Sequence, residues 1–494
     1  MARSIWPSAS SVRVARSLSA HSVAGLVISA LLFIICLSGT LAVFEDEIGW
    51  WEKPNTPAVT HVTPQAAQKA SEAAFAKDPE TTHLYLYLPR ENWPRYVVAT
   101  DNGVHTANTE GELVGGYESA WNDFLIHMHY YLHLPETFGM IIVAIFGVFL
   151  VGMAVSGFLA HPKVFKDAFR LKRTGQRRLV QADIHNRLSV WTAPFHIIVA
   201  ATGAMIGLFV VVAYVLAVTS YDGNTKLLTQ AIFGGEPPAD ERAADLANID
   251  VAMTYMQTEL AEHPAFLVVV HDPGTQGQHI GIYGEHMDRL IYGETYGFDA
   301  QGKLTGHEGA SDGPLGVQIA NSVYRLHFGD FGGTPMKIAY FVLGLFLCVI
   351  IASGMNIYFL KKDEAGHGRP RWEGAWSGLV WGSCFLLAVT LFFAVLGAAS
   401  ALLTWVFWCG LVVICGASAF QGRKGKAGKV LRFGTGLTML AAVFVHAALY
   451  ASTYGNFWIL AVSLSLAAVG LWMTVRSGLA FVPVQTQKAA SETI

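Results

Sequence analysis

The sequence predicts an α-helical polytopic membrane protein with about eight transmembrane helices and two small external α+β domains in an internally duplicated N-terminal half. The chain has 494 residues, of which 53% are hydrophobic and only 14% are charged. Several apolar runs exceed the roughly 18 residues that mark a membrane-spanning helix. In addition, His21 precedes Gly39 by the same number of residues as His185 precedes Gly203. Hydropathy therefore predicts the membrane spans, and the repeated spacing predicts the duplication.

Eight apolar runs are the predicted spans. The first passes into the acidic stretch Phe44-Glu45-Asp46 without the small-residue pattern of a signal-peptide cleavage site, so we expect an uncleaved helix. The runs lie near residues 22–44, 136–160, 188–218, 335–360, 375–396, 399–420, 433–452 and 456–475.

Lysine and arginine in the short connections set the predicted orientation, because positively charged loops stay cytoplasmic. They cluster before the first span and at 163–178, 361–371 and 423–432, whereas the turns at 397–400 and 452–456 have none. We therefore expect both termini inside and the two long polar segments outside, with no nucleic-acid partner. The predicted regions are 1–44 (cytoplasmic N-terminus and first span), 45–130 (first external domain), 131–218 (two spans and their basic loop), 219–326 (second external domain), 327–362 (fourth span) and 363–494 (C-terminal four-helix membrane region).

The N-terminal half contains an internal repeat. Residues 108–115 match residues 299–306 without a gap, and each stretch predicts a turn between edge strands. Residues 146–150 match 343–347, and a Ser-Gly pair follows each of them at the same distance. Each half is thus predicted to contain a helix with a histidine at its inner end, a small α+β domain, and a helix with a histidine at its outer end.

The repeat places ionisable histidines in register at the membrane boundary, which suggests paired metal ligands with haem iron as the first candidate. A pseudo-twofold axis along the membrane normal would place His21 opposite His185, as one bis-histidine haem requires. At the outer ends, His327 would pair with His129 or with His133. The repeat spacing favours His129, whereas a shared Leu-His dipeptide favours His133, so the sequence leaves both open.

Four motifs carry a family resemblance: His129-Tyr130-Tyr131-Leu132-His133-Leu134-Pro135, Ser156-Gly157 running to His161, Asp183-Ile184-His185-Asn186 with Pro194-Phe195-His196, and Leu326-His327-Phe328-Gly329. With them, the segment from about residue 20 to 362 resembles the PepSY-associated transmembrane proteins, which include iron-regulated membrane proteins and ferric-siderophore reductases. The external segments resemble PepSY domains. The resemblance implies a bacterial inner-membrane location and two b-type haems between four helices, and the last four spans go beyond its pattern.

Further polar residues keep two interpretations each. His161 and His196 have no equivalents in the other half; they are haem ligands, as the resemblance allows, or buried histidines bonded to a carbonyl group. On a continuous helix, His196 would lie about 16 Å deeper than His185. Arg187 and Arg325 either meet haem propionates or snorkel to the membrane interface.

Two smaller expectations concern histidines outside this set. His446 has no visible partner in the sequence and is expected to be a packing residue or a residue that contacts a metal ligand. One candidate for transient metal binding outside the membrane is the group formed by His271, Asp272, His279 and His286.

Taken with the resemblance, these features predict a di-haem reductase that passes electrons outward to a ferric siderophore or related iron complex. The donor would be a membrane quinol or a separate protein, because the chain contains no dinucleotide-binding fingerprint and no cytoplasmic flavin domain. Residues that act in catalysis beyond the haem ligands are not predicted. The alternatives are a cytochrome b that serves another periplasmic acceptor, and a non-redox PepSY module that binds peptides or regulates a protease.

Overall fold

In the computed structural model, eight helices among the described residues are long and apolar enough to cross a membrane, which agrees with the number of spans predicted. The structure describes residues 10–90, 93–161, 176–224, 227, 240–286, 289–422 and 426–478, so most of the predicted basic loop at 163–178 lies outside the described residues. The chain divides into two compact units. We call residues 1–54, 119–204 and 338–494 the helical unit, and residues 55–118 and 205–337 the sheet unit.

The membrane-crossing helices are α1, α5, α7, α10 and α11 to α14, with shorter helices between them. In chain order the helices are α1 (Ser11–Ala42), α2 (Glu45–Glu52), α3 (Pro64–Lys77), α4 (Ala120–Tyr131), α5 (Glu136–Ala160), α6 (Arg177–Trp191), α7 (Ala193–Ser220), α8 (Ile249–Glu259), α9 (Leu315–Phe328), α10 (Gly333–Glu364), α11 (Pro370–Val395), α12 (Ser400–Gln421), α13 (Ala427–Leu449) and α14 (Phe457–Gly478).

His185 and His196 lie on two helices, α6 and α7, so the separation of about 16 Å that a continuous helix would give does not apply. Helix α6 ends at Trp191, and Thr192 has φ −105° and ψ 6°, outside the helical range. Pro194 follows in the first turn of α7. Proline has no N–H to donate and its ring clashes with the preceding turn, so it favours the start of a new helix at this point.

Contacts from a partly buried carboxylate fix the start of α4. The side chain of Glu52, the last residue of α2, accepts hydrogen bonds from the backbone N–H groups of Trp121 (2.8 Å) and Asn122 (3.1 Å) and from the hydroxyl of Ser119. A carboxylate at a helix N-terminus satisfies orphan N–H donors and interacts favourably with the helix dipole. Helix α4 is therefore tied to α2 at its first turn.

The last four helices pack closely on one another. Gly374 and Gly378 of α11 face Ser418 of α12, where an added Cβ would meet the serine within 3 Å. Small residues spaced four apart allow this approach of two membrane helices.

Both segments of the sheet unit contribute to one eight-stranded antiparallel sheet. The strands are β1 (His83–Tyr87), β2 (Val97–Ala99), β3 (Val104–Ala107), β4 (Leu113–Gly116), β5 (Ala265–His271), β6 (His279–Gly284), β7 (Glu294–Phe298) and β8 (Leu304–Glu308). Their order is β4-β3-β2-β1-β5-β6-β7-β8, so β1 pairs with β5 at the centre. The two segments predicted as separate domains therefore share one sheet, a pairing that the sequence does not predict.

One face of the sheet carries the core of this unit. Alternate residues such as Leu84, Val268 and Ile280 pack with α3 and α8 and are fully buried. The predicted turns at 108–115 and 299–306 are confirmed: Gly111 (φ 77°) and Gly302 (φ 76°) adopt the left-handed conformation between β3 and β4 and between β7 and β8.

Candidate functional site

Two histidines of the helical unit lie face to edge at one end of the bundle. The ring centroids of His21 on α1 and His185 on α6 are 6.2 Å apart, with an interplanar angle of 80°. The sequence repeat pairs these two residues, and the structure brings them together. His21 lies in the N-terminal third of α1, and His185 lies in the middle of α6.

Each of the two rings is held by the same contacts from a neighbouring helix. His21 donates from Nδ1 to the carbonyl oxygen of Met153 (3.1 Å) on α5, and Ser156 lies 3.2 Å from the same nitrogen. An added Cβ on Gly157 would lie 3.4 Å from the ring, so this glycine makes room for it.

His185 repeats the arrangement on α10. Its Nδ1 donates to the carbonyl oxygen of Ile350 (2.9 Å), with Ser353 at 3.3 Å, and an added Cβ on Gly354 would lie 3.2 Å from the ring. In each case the carbonyl belongs to the residue four before the glycine. With Nδ1–H donating, Nε2 of a neutral imidazole carries the lone pair, and in the described part of the chain no hydrogen bond reaches Nε2 of either ring.

His129 on α4 has the same kind of seat at the other end of α1. Its Nδ1 is 2.9 Å from the carbonyl oxygen of Ile35, and an added Cβ on Gly39, four residues later, would overlap its ring. Ile35 follows His21 by 14 residues, which corresponds to about 21 Å along a helix. The His21–His185 pair and His129 thus contact α1 at two levels, one in its N-terminal third and one near its C-terminal end.

The His21–His185 pair fits the dimensions of a bis-imidazole metal centre. A metal–imidazole nitrogen bond is about 2 Å long, and with each nitrogen about 1.1 Å from its ring centre, two opposed rings have centroids about 6.2 Å apart. Metal-bound histidines usually donate their other N–H to a carbonyl group, which is what Nδ1 does here. The residues present therefore fit a haem iron between the two rings.

Both ring nitrogens of His133 are engaged in hydrogen bonds. Trp408 of α12 donates its indole N–H to Nδ1 of His133 (3.1 Å), and Nε2 lies 2.9 Å from the carbonyl oxygen of Phe124. An indole can only donate, so Nδ1 is the acceptor and Nε2 carries the proton. In this arrangement neither nitrogen of His133 has a lone pair left for a metal.

His196 and His161 also lie in the helical unit. The nitrogens of His196 lie 3.2 Å from Oγ1 of Thr192 and 3.4 Å from the carbonyl oxygen of Leu343, and the residue is 5% exposed. This matches the buried, carbonyl-bonded alternative. His161 ends α5, and its Nδ1 is buried with no hydrogen-bond partner among the described residues.

Both arginines considered for propionates make ion pairs. Arg187 is buried and donates to Asp183 one turn earlier on α6 (2.8 Å). Arg325, in the sheet unit, donates to Glu285 (2.9 Å). His327 lies on α9, two residues after Arg325 and two residues before Gly329, the left-handed cap of that helix. His129 lies three residues before Leu132, the left-handed cap of α4.

The structure gives His446, which packs as expected, hydrogen-bond partners that the sequence does not reveal. Its ring stacks on Trp51 at 4.1 Å, and Nε2 donates to the carbonyl oxygen of Trp51 (2.6 Å). Tyr454 donates to Nδ1 (2.9 Å) and accepts from Ser463 (3.0 Å), which accepts from the indole of Trp51 (2.9 Å). The four residues form a closed ring of hydrogen bonds, in which Trp51 takes part through both its carbonyl oxygen and its indole N–H.

The transient metal site considered around His271 is not formed. Among the described residues, no group of three or more His, Cys, Asp or Glu side chains is arranged to hold a metal ion. Instead, His271 stacks on His279 across β5 and β6, with centroids 4.5 Å apart, and meets His83 of β1 at 5.0 Å.

Comparison with known proteins places most of the chain in one family. Residues 18–362 match the family model described as the PepSY-associated TM region. The chain is also 24% identical over 282 residues to a Pseudomonas aeruginosa protein named "Uncharacterized protein PA4219", an alignment that covers 54% of this chain and 71% of that protein. The helices from α11 onward lie beyond the family match.

Proposed function

Because the chain belongs to the PepSY-associated transmembrane family, we propose that it is a di-haem b-type reductase. It spans the bacterial inner membrane with both termini in the cytoplasm, and it passes electrons to a periplasmic ferric siderophore or related iron complex. The last four helices belong to the same membrane region.

The observation that carries the proposal is the shared seat of three histidines. His21, His185 and His129 each lie against a glycine of a neighbouring helix and bond through Nδ1 to the carbonyl four residues before it. A buried histidine with no other role needs no such repeated arrangement, whereas a metal ligand needs a fixed tautomer and a fixed ring plane. Ionisable side chains in membrane helices are functional sites by default.

In this proposal the histidines form two haem-binding sites. His21 and His185 would hold one haem, and His129 would hold the other together with His327, as the family resemblance implies. Met153, Ile350 and Ile35 orient the rings through their carbonyl groups. When bound, haem iron supplies a one-electron Fe(III)/Fe(II) couple at each site.

The acceptor chemistry follows from the preference of iron for different ligands. Hard oxygen ligands hold Fe(III) well, and gain of one electron to give Fe(II) weakens them, so reduction releases iron without breaking the chelator. A quinol donor provides two electrons and loses two protons for every two chelates reduced. A separate electron-transfer protein is the alternative donor.

The repeated contacts and the sheet also support an origin by duplication. A helix followed by four antiparallel strands occurs twice, as α3 with β1 to β4 and as α8 with β5 to β8. We propose that each of these helix-and-strand sets is a PepSY-like domain on the periplasmic side. We also propose that each half of the repeat supplies one of the two ligands of each haem.

The deciding experiment is an absorption spectrum of the purified full-length protein. We expect a Soret band that shifts on reduction by dithionite, with two haems per chain by pyridine haemochrome assay. The reduced protein should be reoxidised by ferric siderophores, with Fe(II) captured by a ferrous-specific chelator. His327→Ala should remove one haem, and His105→Ala, on β3 of the sheet unit, is the matched control that should keep both.

Other outcomes select the rival functions. A haem protein that is reoxidised by other periplasmic acceptors but not by ferric chelates is a general cytochrome b. A wild-type protein with no Soret band contradicts the redox function and favours a peptide-binding or protease-regulating membrane protein. Full haem occupancy in both His185→Ala and His327→Ala contradicts the ligand assignment.

A further inference from the structure

We propose that Trp408 and His133 form a latch through which the last four helices position α4, the helix that carries His129. This inference rests on the proposed function, because it concerns the haem site to which His129 belongs. It gives a role to a region that lies beyond the family match. Trp408 and His133 are positioning residues in this proposal and touch neither haem nor substrate.

The latch is a chain of two hydrogen bonds with one possible direction. Trp408 donates to Nδ1 of His133, and His133 donates from Nε2 to the carbonyl oxygen of Phe124 in the second turn of α4. The His133 ring also stacks on Phe124 at 5.0 Å, and Phe124 meets Phe407 of α12 at 5.8 Å. Phe124 and Phe407 are both fully buried, so α12 and α4 share a packed interface.

The backbone at the latch is strained. Leu132 (φ 55°) and His133 (φ 57°) are consecutive non-glycine residues in the left-handed conformation. This conformation is costly for residues with a Cβ and persists only where surrounding contacts fix it. Both ring nitrogens of His133 are bonded, and one of these bonds comes from α12, so the last four helices help to hold this turn.

A second anchor from the same region fixes the other end of α4. Trp121, in the first turn of α4, donates its indole N–H to Oγ1 of Thr390 (3.1 Å) and to the carbonyl oxygen of Leu387 (3.3 Å) on α11. Trp121 is 6% exposed and Thr390 is fully buried. Helix α4 is thus anchored to the last four helices both before and after His129.

The position of α4 determines the seat of the His129 ring. The ring lies over Gly39 and bonds to Ile35, two backbone sites of α1 that are fixed relative to each other. A small shift or rotation of α4 along α1 would move the ring off the glycine. Loss of the latch is therefore expected to change the orientation of one ligand and to leave the His21–His185 pair, which has no bond to α4, unchanged.

The test compares Trp408→Phe with Trp405→Phe in the full-length protein. Trp405 lies one turn earlier on α12 and is 70% exposed, so it is a matched control on the same helix. In Trp408→Phe we expect two haems, a shifted midpoint potential and altered low-spin EPR signal for one of them, and unchanged values for the other. Loss of that haem to apomyoglobin should be about fivefold faster, the factor that about 1 kcal/mol of hydrogen bonding corresponds to. Trp405→Phe should match wild type.

A double-mutant comparison separates the latch from a general packing effect. His133→Phe should keep both haems and shift the same potential, and the double variant should shift it no further, because both changes break one chain of bonds. Thermal stability that falls with both potentials unchanged would show a merely structural role and overturn the proposal. Loss of a haem in His133→Phe as complete as in His129→Ala would make His133 a ligand and also overturn it. A wild-type protein without haem overturns both this inference and the proposed function.

Discussion

His21 and His185 lie edge to face with their ring centroids 6.2 Å apart, although they belong to different helices on opposite sides of the internal repeat. Each ring is fixed by a carbonyl and a serine of a third or fourth helix, so four helices converge on this pair. The arrangement leaves the same nitrogen, Nε2, with the lone pair in both rings.

If this pair shares one iron, loss of either ring should have the same effect as loss of both. We expect His21→Ala and His185→Ala each to lower the haem content from two to one per chain, and the double variant to keep one. Haem content by pyridine haemochrome assay measures this directly. Additive loss, with no haem in the double variant, would assign the two histidines to different haems.

The glycine under His129 gives a prediction with a matched control in a membrane helix. In Gly39→Ala the new Cβ overlaps the His129 ring, so we expect the variant to lose one haem while the His21–His185 site keeps the other. Gly152→Ala in α5 has open space around the new Cβ and should keep both haems. Its helix should be unchanged or more stable by up to about 1 kcal/mol. Equal haem content in the two variants would contradict the seat assigned to His129.

The ring of hydrogen bonds around His446 predicts a stability effect without a haem effect. Tyr454→Phe removes the hydroxyl that donates to His446 and accepts from Ser463, and it leaves buried polar groups without partners. We expect a loss of about 1–3 kcal/mol of unfolding free energy, measured by denaturant unfolding in detergent. Tyr214→Phe, at a side chain that is 66% exposed, should cost less than 0.5 kcal/mol. A change in haem potentials in Tyr454→Phe would show that this network also affects the redox sites.

The histidine stack on the sheet predicts a pH dependence of stability. Burial, and then the neighbouring His279 and His83, lower the pKa of His271 to about 4, whereas an unfolded histidine has a pKa of about 6.5. Below that value the unfolded chain binds a proton that the folded chain does not, so acidification favours unfolding. The folding stability that depends on a neutral His271 is fully present above about pH 6.5. It is lost as the pH falls towards about 4.

Pulse proteolysis of the sheet unit between pH 7.5 and 4.5 measures this effect. Wild type should become more susceptible as the pH falls, and His271→Asn, which has no titrating group, should show a shallower dependence. His61→Asn, at an exposed histidine of the same unit, is the control. An identical pH profile for wild type and His271→Asn would contradict the assignment.

The parts of the molecule that depend on local pattern could be predicted from the sequence. Apolar runs determine the eight spans, and left-handed glycines determine the turns at Gly111 and Gly302. The break at Thr192 was also signalled, by Pro194 in the next turn, because proline favours a helix start. The proximity of His21 and His185 follows from the repeat, since related helices place related residues at the same depth.

The remaining features depend on contacts between distant segments. The hydrogen bond to Nδ1 of His133 comes from Trp408, a residue of a helix outside the repeat, and no spacing within the repeat encodes it. The partners of His446 come from α2 and from the turn before α14, which no periodicity connects. The glycine under each histidine ring, and the carbonyl group four residues before it, lie on a different helix from the histidine. The sequence does not show which helices pack together, so it does not reveal these contacts.

The pairing of β1 with β5 orders the assembly of the protein. Two membrane-crossing helices, α5 and α7, separate these strands in the chain, so the centre of the sheet cannot close until both have been inserted and the second polar segment has emerged. Before that moment β1 is an edge strand with unpaired backbone groups, a state open to pairing with another chain. Such a long-range contact is also formed late and slowly. The complete sheet therefore forms only in chains whose first three spans are in place.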